Sequence, residues 1–285
     1  MTRRRESFTE LSARERSIRL LDQDTARELL GPFDRMESPW LQSQGITPQA
    51  DDGCIVIKGS FNGKPGVVIA LEGSFQGGSL GEVSGAKMCA ALDLAREDCE
   101  RGIMTHAVLL LETGGVRLQE ANLGLAAVAE IMSSIIALRE FVPVTCVIAG
   151  PVGCFGGMSL AAALCSNIVM TRGARLGMNG PEVIEQESGI DEFDASDRAL
   201  TWSIHGGEQR VAMGLADVLV NDDAAGIATT IRNLLSQGHP AVQRTTAINT
   251  YSQLIANLDP STQWDPISLR QPWHDARAAA YEETA

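Results

Sequence analysis

The chain has 285 residues, 44% hydrophobic and 21% charged, enough to bury one large α/β core. Its formal charge of −13 repels phosphate backbones, so nucleic acid is excluded as an expected partner. Aromatic residues are 5% and glycines number 28, so that core must be built from Ala, Val, Leu and Ile with backbone packed close to backbone.

Arg3, Arg4, Arg5, Arg14, Arg16 and Arg19 crowd the first twenty residues, but Glu6, Glu10 and Glu15 interrupt them. The run reads as one solvated helix end, and no apolar stretch follows that would make it a secretory signal. Helical patterns cover residues 9–21 and 24–30, the second stopped by Gly31-Pro32. Residues 54–58 and 66–71 alternate around Asn62-Gly63, the pair a tight hairpin requires. From there the pattern predicts a helix over 83–101, a buried strand over 106–112 and a helix over 118–140. A strand over 144–149, a helix over 158–165 and a strand over 167–171 follow.

Residues 141–171 contain no charged side chain, yet Gly150, Pro151, Gly153, Gly156 and Gly157 break the stretch. A spanning helix interrupted there would leave backbone groups unpaired in lipid, so a soluble, cytoplasmic protein with no membrane association is expected. The remainder reads as helical: 181–186, 197–205, 208–213, 224–235 and 241–258. The last twenty-five residues look like an extension that packs on something else. The expected domain plan is an N-terminal helical extension over 1–48, a central domain over 49–238 and a C-terminal helical extension over 239–285. Six cysteines without a C-x-x-C pair read as reduced, buried small hydrophobes. Four histidines without ligand spacing predict no metal site.

Strand, glycine turn and helix in repetition imply parallel strands with helices packed outside. Ligands gather at the carboxyl ends of such strands. Two of those ends carry paired glycines, Gly114-Gly115 after the first buried strand and Gly156-Gly157 after the second. Backbone N–H groups freed at such turns can converge on an oxyanion. One such loop serves equally well as a tight turn; two at successive strand ends favour the chemical reading. Gly77-Gly-Ser-Leu-Gly81 also satisfies the G-x-S-x-G elbow of hydrolases. No long apolar strand ends at Gly77, and His205, His239 and His274 offer the Ser only a nominal partner. Glu120 suits the first turn of a helix. Arg117 could hold a carboxylate or phosphate, or form an internal ion pair. Glu182 and Glu185 read as structural or interfacial.

Four segments resemble, in order, signatures of the carboxyltransferase subunits of acyl-CoA carboxylases. They are Phe75-Gln-Gly-Gly-Ser-Leu-Gly81, Thr113-Gly-Gly-Val-Arg-Leu-Gln-Glu120, Gly156-Gly-Met-Ser159 and Leu176-Gly-Met-Asn-Gly-Pro-Glu-Val-Ile-Glu185. The resemblance implies a crotonase-like α/β fold, a spiral of ββα units. It implies oxyanion amides at Gly114, Gly115 and Val116, with Gly156 and Gly157 across the thioester pocket. It also implies that Phe75, Gly77, Gly78, Ser79 and Gly81 line the CoA-binding side. A finer resemblance, carried by Leu30-Gly-Pro-Phe-Asp-Arg35, Val152-Gly-Cys-Phe-Gly-Gly157 and Gly206-Gly-Glu-Gln-Arg210, is to malonate decarboxylase β subunits. It implies decarboxylation of a malonyl thioester carried by an acyl carrier protein on a CoA-like phosphopantetheine arm, a related γ subunit, and no metal. The alternative is a carboxyltransferase subunit of a biotin-dependent acyl-CoA carboxylase lacking a zinc ribbon, since no cysteine precedes Cys54. A non-catalytic scaffold has no need of two oxyanion loops.

Overall fold

The computed structural model describes residues 5–45, 53–120, 122–241, 243–246 and 248–282. Seven strands form one mixed sheet in sequence order: β1 (Arg27–Leu30), β2 (Cys54–Phe61), β3 (Lys64–Leu71), β4 (His106–Leu110), β5 (Thr145–Ile148), β6 (Asn167–Thr171) and β7 (Val218–Val220). The first three strands pair antiparallel; β3 to β7 run parallel. Asn62 and Gly63, both at positive φ, turn β2 into β3 as the hairpin reading required.

Alternation along the parallel strands divides the core. Val67, Ile69, Leu71, Leu109, Cys146, Ile148, Ile168 and Met170 face one side. There they meet helices α2 (Glu82–Glu100), α3 (Leu123–Leu138) and α4 (Gly157–Leu164). Val68, Ala70, Val108, Leu110, Val147 and Val169 face the other side, against α1 (Ala13–Leu20) and α8 (Ala224–Gln237). Each successive strand lies beside the one before, and the helices joining β3 to β6 cover one face. Such a chain advances as a spiral rather than doubling back. Between β6 and β7 come α5 (Pro181–Ser188), α6 (Arg198–His205) and α7 (Gly207–Ala212).

The structure corrects several sequence expectations. Residues 27–30 are a strand, not the end of a helix, because pairing with β2 outweighs the helix propensity of Arg-Glu-Leu-Leu. Strand β7, three half-buried residues, has too short a pattern to register against its helical neighbours. Of the N-terminal arginines, Arg5 and Arg19 are exposed as a solvated helix end requires, and Arg16 is the exception. Arg14 pairs with Glu28, Arg19 with Glu6, and Arg16 is buried against Glu112. Helix α1 itself opens on a capping box between Ser12 and Glu15.

The C-terminal helices α9 (Ile248–Asn257) and α10 (Arg270–Glu282) pack on the chain itself. Tyr251 stacks on Trp273 at 5.4 Å, and Arg270 Nε donates to Gln209 Oε1 of α7 at 2.6 Å. The expected boundary between residues 48 and 49 lies outside the described residues, as do Arg3 and Arg4. No helix among the described residues is long and apolar enough to cross a membrane. All six cysteines are free and buried.

Candidate active site

Beyond the carboxyl ends of the parallel strands the chain forms a small second layer of single bridges. Leu80 pairs with Val116, Thr113 with Cys154, and Cys154 with Leu176. This layer brings three of the motif segments together. Gly77 carbonyl accepts the Gly114 N–H at 2.9 Å, and Leu80 N–H donates to Gly115 carbonyl at 2.9 Å. A Cβ on Gly78 would collide with the carbonyl oxygen of Glu112. The Phe75–Gly81 segment therefore lies directly on the loop that follows β4.

The two glycine turns touch. Gly115 sits at φ +125° and Gly156 at φ +63°, and a Cβ on Gly156 would come within 3.1 Å of the Gly115 Cα. Only glycine combines such torsions with so close an approach. The hydrogen bonds around the turns decide which amides remain for a ligand. Gly114 N–H is spent on Gly77, Gly115 N–H on the Thr113 hydroxyl at 3.1 Å, and Gly156 N–H on the Met178 carbonyl at 2.8 Å. The N–H groups of Val116, Gly157 and Met158 have no acceptor among the described residues. Those of Gly157 and Met158 open helix α4, at its positive end. Gly114 is thus withdrawn as a donor, and Gly115 and Gly156 act as shapers of the turns. Met158 was missed; counting one residue further into the helix would have found it, because a first helical turn leaves several N–H groups unsatisfied.

Arg117 and Glu120 form the internal ion pair that the sequence left open, 2.9 Å apart and buried. Arg117 also donates to the Ser79 hydroxyl and carbonyl, and its guanidinium lies 5.7 Å from the centre of the Phe75 ring. Glu120 accepts the Glu82 N–H at 2.7 Å and so caps α2. The pair fastens the Phe75–Gly81 segment to the loop that carries Gly114 and Gly115. It also disposes of the hydrolase reading, because Ser79 faces an arginine and follows a short 3-10 turn (Gln76–Gly78) rather than a strand. Burial pushes the Cys146 and Cys154 thiols well up from the usual thiol range, which makes them poor nucleophiles.

An apolar cavity of about 480 Å³ has Ser159, Leu160, Leu176, Met178 and Tyr251 in its wall. Ser159 hydroxyl donates to Gly156 carbonyl at 2.7 Å. The arginines in the wall are engaged, Arg210 with Leu176 carbonyl at 2.7 Å and Arg244 with Asp217 and the Cys165 carbonyl. The segment carrying Met178 is clamped from behind. Leu176 N–H donates to His205 carbonyl at 2.9 Å, and Phe155 meets the His205 ring edge-on at 5.7 Å. Arg210 Nη2 lies 3.2 Å from His205 Nδ1 and can only donate, so the imidazole is neutral. Burial, then the adjacent Arg210, holds His205 down at about 4 against an ordinary 6.5.

That shift has a measurable consequence. The unfolded chain takes up a proton near pH 6.5 while the folded chain waits until about pH 4. Stability complete above pH 6.5 is therefore lost as the pH falls toward 4, by on the order of 3 kcal/mol at most. Between about pH 7 and pH 5, the Tm of the wild-type protein should fall more steeply than that of His205→Gln. Equal slopes would show that His205 titrates normally.

Known proteins resemble this chain over most of its length. The carboxyl transferase domain signature matches residues 8–278. The malonyl-S-ACP:biotin-protein carboxyltransferase of Malonomonas rubra is 41% identical over 263 residues, covering 89% of this chain and 83% of that protein. A subunit in the crystal structure of a Pseudomonas malonate decarboxylase hetero-tetramer in complex with malonate superposes with a TM-score of 0.89. It is 56% identical, over 94% of this chain and 97% of that one. A chain of the Pseudomonas malonate decarboxylase hetero-dimer gives 0.76 at 50% identity, over 88% and 97%. The mixed sheet with its helices is the crotonase-like fold that these proteins share, and the chain belongs to the carboxyl transferase domain family.

Proposed function

We propose that this chain is the β subunit of a malonate decarboxylase and converts a malonyl thioester to an acetyl thioester and CO2. The observation that carries the reading is the pair of unspent amides, Val116 N–H and Gly157 N–H, on two turns in contact. The 56% identity to a Pseudomonas malonate decarboxylase subunit supports it.

The chemistry follows from what those amides can do. Loss of CO2 breaks the bond between the carboxyl carbon and the methylene, and its electron pair passes into the thioester as an enolate. Donors fixed at the thioester oxygen stabilise charge that grows only as the bond breaks, each worth about 3 kcal/mol, or roughly a hundredfold. In the apolar cavity lined by Ser159 and Met178 the guanidinium groups of Arg210 and Arg244 are already engaged with Leu176 carbonyl and Asp217, so a carboxylate held there gains little and the neutral product is favoured over the anion. The phosphopantetheine arm of an acyl carrier protein would lie along Phe75, Gly77, Gly78, Ser79 and Gly81, where the space over Gly77 is open. A related γ subunit closes the other side of the site, and the complex works in the cytoplasm without a metal.

A second reading is favoured by the Malonomonas relative, whose name specifies transfer of the carboxyl group to a biotin protein. The two readings part after the enolate forms. With the reconstituted complex turning over malonyl-acyl carrier protein in D2O, decarboxylation should place solvent deuterium in the acetyl methyl group. Avidin should leave the rate unchanged. Both routes end with an exchangeable proton on the enolate, from water or from the biotin ring nitrogen, so the avidin result separates them: turnover that stops with avidin would establish carboxyl transfer instead.

A further inference from the structure

Glu112 ends the buried run of β4, and its side chain fills the gap where three loops begin. A Cβ on Gly73, after β3, or on Gly150, after β5, would strike its carboxyl group. Both neighbouring loops therefore pass it as bare backbone. The carboxylate is 5% exposed, accepts the Val152 N–H at 3.4 Å and is paired with Arg16 of helix α1. Arg16, 6% exposed, gives its remaining donors to the carbonyls of Phe8 at 2.8 Å and Thr9 at 2.6 Å. Glu72, at the end of β3, accepts the Ala13 N–H at 2.9 Å and ties the same helix to the same edge.

The next residue, Thr113, donates its N–H to Gly153 carbonyl at 2.8 Å and accepts the Phe155 N–H at 3.0 Å. The loop leading to Val116 and the loop leading to Gly157 are thus joined one residue beyond Glu112. A buried carboxylate keeps its place only while a partner neutralises it. Without Arg16, water or a shifted side chain must enter the gap, and the loops spread.

We propose that Arg16 and Glu112 are a positioning pair for the enolate-stabilising turns: without touching substrate, they set the spacing between the Val116 and Gly157 amides from the N-terminal helix. The proposal rests on the oxyanion reading above. A misplacement of about 1 Å between reacting and stabilising groups costs on the order of a hundredfold in rate.

In the complete complex, Arg16→Met should lower kcat about 100-fold per titrated site, with KM for the malonyl thioester changed less than about threefold. Arg16→Lys, which keeps the charge, should stay within about tenfold of wild type. Arg16→Met combined with Glu112→Gln removes both charges and should recover to within about tenfold, since an uncharged pair carries no desolvation cost. If Arg16→Met does not assemble, Glu112→Gln takes its place, because it keeps the shape and deletes only the charge. Unchanged kcat per folded complex in the single variant, or a double variant no faster than it, overturns the proposal. A wild-type complex inactive on malonyl thioester would overturn the decarboxylase reading instead.

Discussion

Gly115→Val is expected to lower kcat of the assembled complex by at least about a hundredfold while leaving the fold intact. Gly115 lies at φ +125°, where a β-branched residue cannot rest. To relax, the variant must turn about its own N–Cα bond, which re-aims the chain on either side: the peptide carrying the Gly115 N–H and the one carrying the Val116 N–H. Rotation also breaks the 2.9 Å bond from Leu80 N–H to Gly115 carbonyl. The steric cost is small, because an added Cβ would meet nothing nearer than the Gly156 Cα at 3.7 Å. The torsional strain is about 1–3 kcal/mol, which a domain of this size tolerates. Gly114→Ala is the internal control. Its Cβ would meet only Gly77 carbonyl at 3.5 Å, and its N–H is already spent, so turnover should remain within a few-fold of wild type. Near-normal turnover in Gly115→Val would remove the oxyanion role from this loop.

The contrast between Gly114 and Gly115 shows where the sequence stops being informative. Paired glycines at successive strand ends announced the turns, their order and their place on the sheet. Which of these N–H groups are left over depends in part on acceptors far along the chain, Gly77 carbonyl and Met178 carbonyl, and no spacing rule encodes those. Arg117 and Glu120 show the same limit. Their separation by three residues permits an ion pair, but the choice between that and a ligand was made by burial under Phe75 and Ser79. Of the elements with long periodicity, α2 emerged within one residue of its observed bounds, whereas α3 begins five residues later than expected, after a separate 3-10 turn at Leu118–Glu120. Strand β1 did not, because four residues of helix-forming character on a sheet edge follow their partner rather than their propensity. Arg16 stood in plain view within an arginine-rich stretch, and only its partner ninety-six positions away distinguishes it from a solvated charge.

The isolated chain should be at least about a hundredfold less active, in kcat/KM, than the complex with its partner subunit, because an enolate facing water loses the low-dielectric environment that makes fixed dipoles effective. The surface around the turns argues for such a partner. Leu118, two residues beyond Val116, is 82% exposed; Met178, whose carbonyl holds the Gly156 turn, is 53% exposed; Leu160, in the first turns of α4, is 42% exposed. Leu125 on α3, Val183 on α5 and Ile190 after it are exposed apolar side chains as well. Apolar side chains clustered at the mouth of a polar-backbone site mark a surface meant to be covered. Both Pseudomonas structures that this chain resembles are hetero-oligomers. Leu118→Asp should therefore weaken association with the partner by about 2 kcal/mol, roughly thirtyfold in Kd, while leaving the Tm of the lone chain unchanged. The lone chain should also self-associate as its concentration rises, and addition of the partner should reverse this. Hydrogen exchange should slow at residues 118–125, 158–163 and 178–190 on complex formation. A monodisperse lone chain with the kcat/KM of the complex would show that the site is complete within one subunit.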